Sequence, residues 1–158
     1  MALVEPGTLV FVVDDDAEIR HGLADLLIME GYEVRTSSSA EAAWNEIARG
    51  AQPALIVLDL WLPGTMGSGE LVRRVRVSAQ RAVPILVLSG SSSATHVESD
   101  VDAVRQKPIE ATTLVRTIDE LVRRGPRRGR QRTPARIRSD LLPARRSLVR
   151  ARRPRPAG

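Results

Sequence analysis

Three polar sites in this chain sit directly behind apolar runs. Asp14-Asp15-Asp16 follow Thr8–Val13, Asp59 follows Ala54–Leu58, and Ser89 follows Pro84–Leu88. A fourth, Lys107, follows the short strand candidate Val101–Arg105. Brought together, at least two carboxylates of the first site would face Asp59, and such a cluster repels itself and raises its own pKa values. A hard divalent cation removes that cost. Oxygen donors without His or Cys favour Mg2+ or Mn2+, with waters completing the octahedron. Lys107 would add a point charge suited to a phosphate oxygen, and Ser89 a hydroxyl donor. A carboxylate nucleophile can form an aspartyl phosphate, while the metal and the lysine would stabilise charge in an in-line phosphoryl transition state. Composition marks Lys107 as well: 23 of the 24 basic residues are Arg, and it is the single lysine.

Positioning four such sites at one edge requires strands. Thr8–Val13, Ala54–Leu58 and Pro84–Leu88 are continuous apolar runs, as expected of strands buried on both faces. Tyr32–Thr36 and Val101–Arg105 are shorter strand candidates. Between them, Ile19, Leu23, Leu26 and Leu27 have helical spacing up to Gly31, and Ser38-x-x-Glu41 is a capping-box pattern opening a helix to Gly50. Glu70–Val77 reads as a third helix, and Leu114, Val115, Ile118, Leu121 and Val122 form the stripe of the last. Alternating strands and helices predict an α/β fold with a parallel sheet covered on both faces. In such folds ligands bind beyond the carboxyl ends of the strands, where the strand order reverses.

Charge divides the chain. Residues 123–158 hold 14 Arg against the single acid Asp140, a net of +13, whereas residues 1–122 hold ten basic and 18 acidic residues, a net of −8. The basic segment also carries five of the ten prolines and no aromatic residue. We read 1–122 as the folded domain and 123–158 as a disordered Arg/Pro-rich tail. With no cysteine there is no disulfide framework or thiolate metal site. No apolar run approaches the ~20 residues of a membrane span, and the N-terminus lacks the pattern of a signal peptide, so a cytoplasmic location is expected.

Taken in order, VVDDD at 12–16, LIVLDLWLPG at 55–64, PILVLSG at 84–90 and KP at 107–108 resemble the response-regulator receiver domain of two-component signalling. The resemblance spans roughly Thr8–Val122, and four motifs in sequence are far more specific than one. It implies a (βα)5 doubly wound parallel sheet of strand order 2-1-3-4-5. It also implies a single-domain response regulator in which Asp59 accepts a phosphoryl group from a sensor histidine kinase or phosphotransfer protein, with Mg2+ (or Mn2+) present. Asp15 and Asp59 would bind the metal directly, Asp14 mainly through a water, and Trp61 through its backbone carbonyl. Lys107, ahead of a cis bond to Pro108, would contact the phosphoryl group, and Ser89 would be the switch hydroxyl. Such a module is no enzyme beyond its own phosphorylation and dephosphorylation. It signals by contacts with a downstream protein that the sequence does not identify.

The same residues have plainer readings. Asp14–Asp16 could cap the following helix, with Asp15-x-x-Glu18 as a capping box, and Asp59 could be a turn residue before Pro63-Gly64. Trp61 could gate access to Asp59, and Trp44 could be packing. His21 and His96 are isolated. Two other classes compete. The tail could bind nucleic acid weakly through its charge, without base specificity. The order Asp14-x-Asp16, Ser89, Lys107 also echoes haloacid-dehalogenase-like phosphatases, but Glu18 stands where Thr or Val is usual and Asp59 is left unexplained.

The chain departs from the receiver pattern in three places. The loop after Asp59 is one residue longer than the usual Pro-Gly-Met-Asp-Gly and lacks its Asp, and its three glycines within six residues predict mobility. The position three before Lys107, often aromatic, is Val104. Only 17 residues separate Ser89 from Lys107, which leaves the fourth helix little more than one turn near Ala94–Glu98. The coupled switch is therefore expected to be altered.

Overall fold

The computed structural model describes residues 4–90 and 99–126. Five strands, β1 (Leu9–Val13), β2 (Glu33–Ser37), β3 (Leu55–Asp59), β4 (Ile85–Ser89) and β5 (Ala103–Gln106), form one sheet of order β2-β1-β3-β4-β5. Every pairing is parallel. Four helices are described: α1 (Ala17–Met29), α2 (Ala40–Ala48), α3 (Ser68–Val77) and α4 (Ala111–Arg124). The short helix expected near Ala94–Glu98 and the tail from 127 onward lie outside the described residues, and α4 runs two residues past 122.

The apolar runs are continuous because alternate residues serve two cores. Phe11, Val13, Ile56, Leu58, Ile85 and Val87 face the α2–α3 side, with Ala43, Leu71 and Val75. Val10, Val12, Leu55, Val57, Leu86 and Leu88 face the α1–α4 side, with Leu27, Leu114 and Ile118. The edge strands β2 and β5 are far less buried, which explains their weaker signal in the sequence. Trp44 packs beside the first core, with the Arg74 guanidinium 5.9 Å from its ring centre.

Helix starts differ from the expected caps by one residue. Asp16, not Asp15, caps α1, its Oδ1 accepting the N–H groups of Glu18 and Ile19 at 2.9 and 3.1 Å. Ser39, not Ser38, caps α2 by accepting Ala42 N–H at 3.1 Å. Ser38 and Ser39 are equally good capping residues, so residue type cannot choose between them. Glu41 does not close a capping box; it bonds the loop between β3 and α3. At the far end of the sheet, Arg76 joins three segments. It donates to the carbonyls of Asp100, Arg81 and Val83 and pairs with Asp102 Oδ2 at 3.0 Å.

Candidate functional site

β1 and β3 are neighbours, yet the chain leaves them in opposite directions, to β2 and to β4. The crevice this opens at their carboxyl ends is where a doubly wound sheet binds ligands. Asp14 emerges just beyond β1, tied by its N–H to the Ser37 carbonyl. Asp59 ends β3 and Ser89 ends β4, both buried. Lys107 follows β5, its backbone N–H donating to the Ser89 carbonyl at 2.7 Å, with a cis peptide to Pro108.

Asp14, Asp15 and Asp59 each present a carboxylate oxygen within 4.8 Å of the others. The three acids of the first site therefore have separate tasks. Asp16 turns away to cap α1. Asp14 is almost fully buried, with Oδ1 accepting Asp16 N–H at 2.9 Å and Oδ2 accepting Lys107 Nζ at 2.9 Å. Asp15 is exposed, and none of its side-chain hydrogen bonds is among those described. The donor set is oxygen only and suits a hard divalent cation. Exposed Asp15 is freer to ligate directly than Asp14, whose two oxygens already hold partners.

Lys107 Nζ also lies 3.4 Å from Asp59 Oδ1, so one ammonium group spans two carboxylates. Burial works against its charge, but the hydrogen bond to Asp14 and the charges of Asp59 and Asp14 outweigh this and raise its pKa. Burial raises the Asp59 pKa; Lys107 opposes that rise, Asp14 adds to it, and a hydrogen bond from Trp61 N–H lowers it. The Trp61 side chain is 67% exposed beside the site. Val104, in the position often aromatic, packs partly buried against the α2–α3 core.

Three residues at the site were not expected there from the sequence. Arg20 donates from Nη1 to the Asp14 carbonyl at 2.8 Å and more weakly to that of Asp15. Ser68 donates its buried hydroxyl to the Asp59 carbonyl at 2.6 Å. Glu41 Oε1 accepts Thr65 Oγ1 at 2.8 Å and Met66 N–H at 2.7 Å. Met66 itself is buried in the core. The glycine-rich loop, expected to be mobile, is thus tied at both ends and in its middle. Of the three, only Glu41 was read from the sequence, and there as a capping-box residue; Arg20 lies one helical turn beyond the capping Asp16. Ser68 and Glu41 are ordinary residues whose partners lie nine and about 25 positions away.

The model of the response regulator receiver domain matches residues 10–119. This chain belongs to that family. Among curated relatives, the receiver is 36% identical over 124 residues to the transcriptional regulatory protein AfsQ1 of Streptomyces coelicolor, covering 76% of this chain and 53% of that protein. It is 33% identical over 113 residues to the nitrogen assimilation regulatory protein NtrX of Azorhizobium caulinodans, covering 67% of this chain and 24% of that protein. The chain thus spans about half the length of one and a quarter of the other. Among solved structures, the chemotaxis response regulator CheY4 of Vibrio cholerae superposes with a TM-score of 0.67 at 28% identity, over 73% of this chain and 98% of that one. The sheet order and the receiver family implied by the four motifs hold. The phosphatase reading does not: its second Asp, Asp16, caps α1 instead of facing the cluster. Among the described residues no helix is long and apolar enough to cross a membrane.

Proposed function

We propose that this receiver accepts a phosphoryl group on Asp59 from the phosphohistidine of a sensor kinase or phosphotransfer protein. The observation that carries the reading is Lys107 Nζ spanning Asp14 and Asp59 at 2.9 and 3.4 Å. An Asp59 oxygen attacks phosphorus as the P–N bond to the donor imidazole breaks. Lys107 swings its mobile charge onto a phosphoryl oxygen, and the Ser89 hydroxyl donates to another. Asp15, Asp59 and the Trp61 carbonyl would hold Mg2+, with Asp14 acting through water. When bound, the cation neutralises charge building on the phosphoryl oxygens. The chain turns over no other substrate and signals by protein contacts from the cytoplasm. The receiver unit ends with α4, two residues past the expected boundary at 122, and the sequence beyond it is strongly basic.

Incubation with a small phosphodonor and Mg2+, read by intact mass, tests this. The chain should gain one phosphoryl group, labile to acid and base, that does not form in Asp59→Asn or when EDTA is present from the start. A modification that survives Asp59→Asn would overturn the assignment.

A further inference from the structure

We propose that Glu41, on a helix outside the carboxylate cluster, is a positioning residue for the metal-facing loop between Asp59 and Ser68. The role rests on the proposed metal site and names the group that holds it in shape. The loop leaves β3 at Asp59 and returns at Ser68, whose hydroxyl closes it onto the Asp59 carbonyl. Between those ends stands Trp61, whose N–H faces the Asp59 carboxylate and lowers its pKa. The loop thus carries Asp59 at its start and the Trp61 carbonyl two residues on, and the Ser68 bond ties its return to the Asp59 backbone.

Across the loop stands the first turn of α2. Glu41 Oε1 takes both the Thr65 hydroxyl and the Met66 N–H. Gly64, at φ +119, passes so close that a Cβ there would lie 3.0 Å from Oε1 and 3.2 Å from Oε2. A close backbone approach and two convergent donors make this a fitted contact, not a chance surface pair. The Glu41 carboxyl is correspondingly pulled down to about 2, mainly by the Met66 N–H. The loop holds Gly64 and Gly67, so its backbone gains from an outside anchor. α2 supplies one without touching the metal or the phosphoryl group.

The test uses the full chain in a Trp44→Phe background, so that Trp61 alone reports Mg2+ binding by fluorescence. Glu41→Ala should weaken Mg2+ by about tenfold, as loss of a charge-assisted pair of bonds implies. Saturating Mg2+ should restore the phosphorylation rate to within about twofold of the parent. Glu41→Gln keeps Oε1 and both bonds, and should bind Mg2+ within about twofold of the parent. Circular dichroism checks folding, and if Glu41→Ala unfolds, Thr65→Val, which removes one of the two donors to Glu41 Oε1, must show part of the same loss of affinity. Parent-like Mg2+ affinity in a folded Glu41→Ala chain overturns the role of Glu41 alone. A parent chain whose Trp61 signal ignores Mg2+ overturns the metal site and this role together.

Discussion

Lys107 Nζ meets Asp14 Oδ2 at 2.9 Å across 93 residues of sequence. The pair joins the loop after β1 to the loop after β5, the edge strand two places beyond β3. Asp14 is 2% exposed, so its charge is tolerable only while a cation stands beside it. In the chain without metal, that cation is Lys107.

Lys107→Ala should therefore destabilise the metal-free fold by about 2–3 kcal/mol, less than a fully buried pair would lose because the lysine is partly exposed. Added Mg2+ should recover more of the loss than it adds to the parent. Urea denaturation in EDTA and in Mg2+ measures both, and an equal Mg2+ effect on the two proteins would contradict the account.

Asp15 and Asp16 are adjacent and chemically identical, yet should fail differently. Asp16→Ala removes the α1 cap and should cost about 1 kcal/mol while leaving Mg2+ affinity nearly intact. Asp15→Ala should abolish measurable Mg2+ binding with little change in stability, since its exposed carboxylate takes no part in the described capping bonds. Denaturation paired with Trp61 fluorescence separates the two effects.

Arg76 is remote from the chemistry but joins α3 to the segments entering β4 and β5, and Asp102 also accepts Ile85 N–H at 2.8 Å. Arg76→Ala should cost about 2–4 kcal/mol. Arg76→Lys should recover little, because a point charge cannot reproduce donation from three guanidinium nitrogens. Both variants should still be phosphorylated on Asp59 at temperatures where they remain folded, as mass spectrometry would show.

Acid should weaken the Glu41 contact in a defined direction. The folded pKa is near 2 against an ordinary 4.5, because the carboxylate accepts the Met66 N–H and further hydrogen bonds. A depressed carboxylate pKa stabilises the fold fully above the unfolded value and loses that contribution as pH falls through the folded one. The melting temperature of the parent minus that of Glu41→Gln should thus be flat above about pH 5 and shrink toward pH 2. A difference that stays constant to pH 2 would show that the carboxylate charge contributes nothing.

Much of this protein was decided locally. A strand buried on both faces must be apolar at every position, so β1, β3 and β4 were legible as runs, and their ends marked Asp14, Asp59 and Ser89. Lys107 stood out through composition, because nothing else in an Arg-rich chain kept a lysine. Local sequence could not assign tasks within Asp14-Asp15-Asp16. One becomes a cap, one is buried against Lys107 and one stays exposed, and the partner of the buried one is brought there by β5. Nor could it reveal Ser68 and Glu41. A hydroxyl and a carboxylate of ordinary type acquire their roles only when a glycine-rich loop is laid between β3 and α2. Residue chemistry determined which groups could act; the parallel sheet decided which of them meet, because hydrogen bonds and charge pairs act over a few ångströms while their partners lie tens of residues apart.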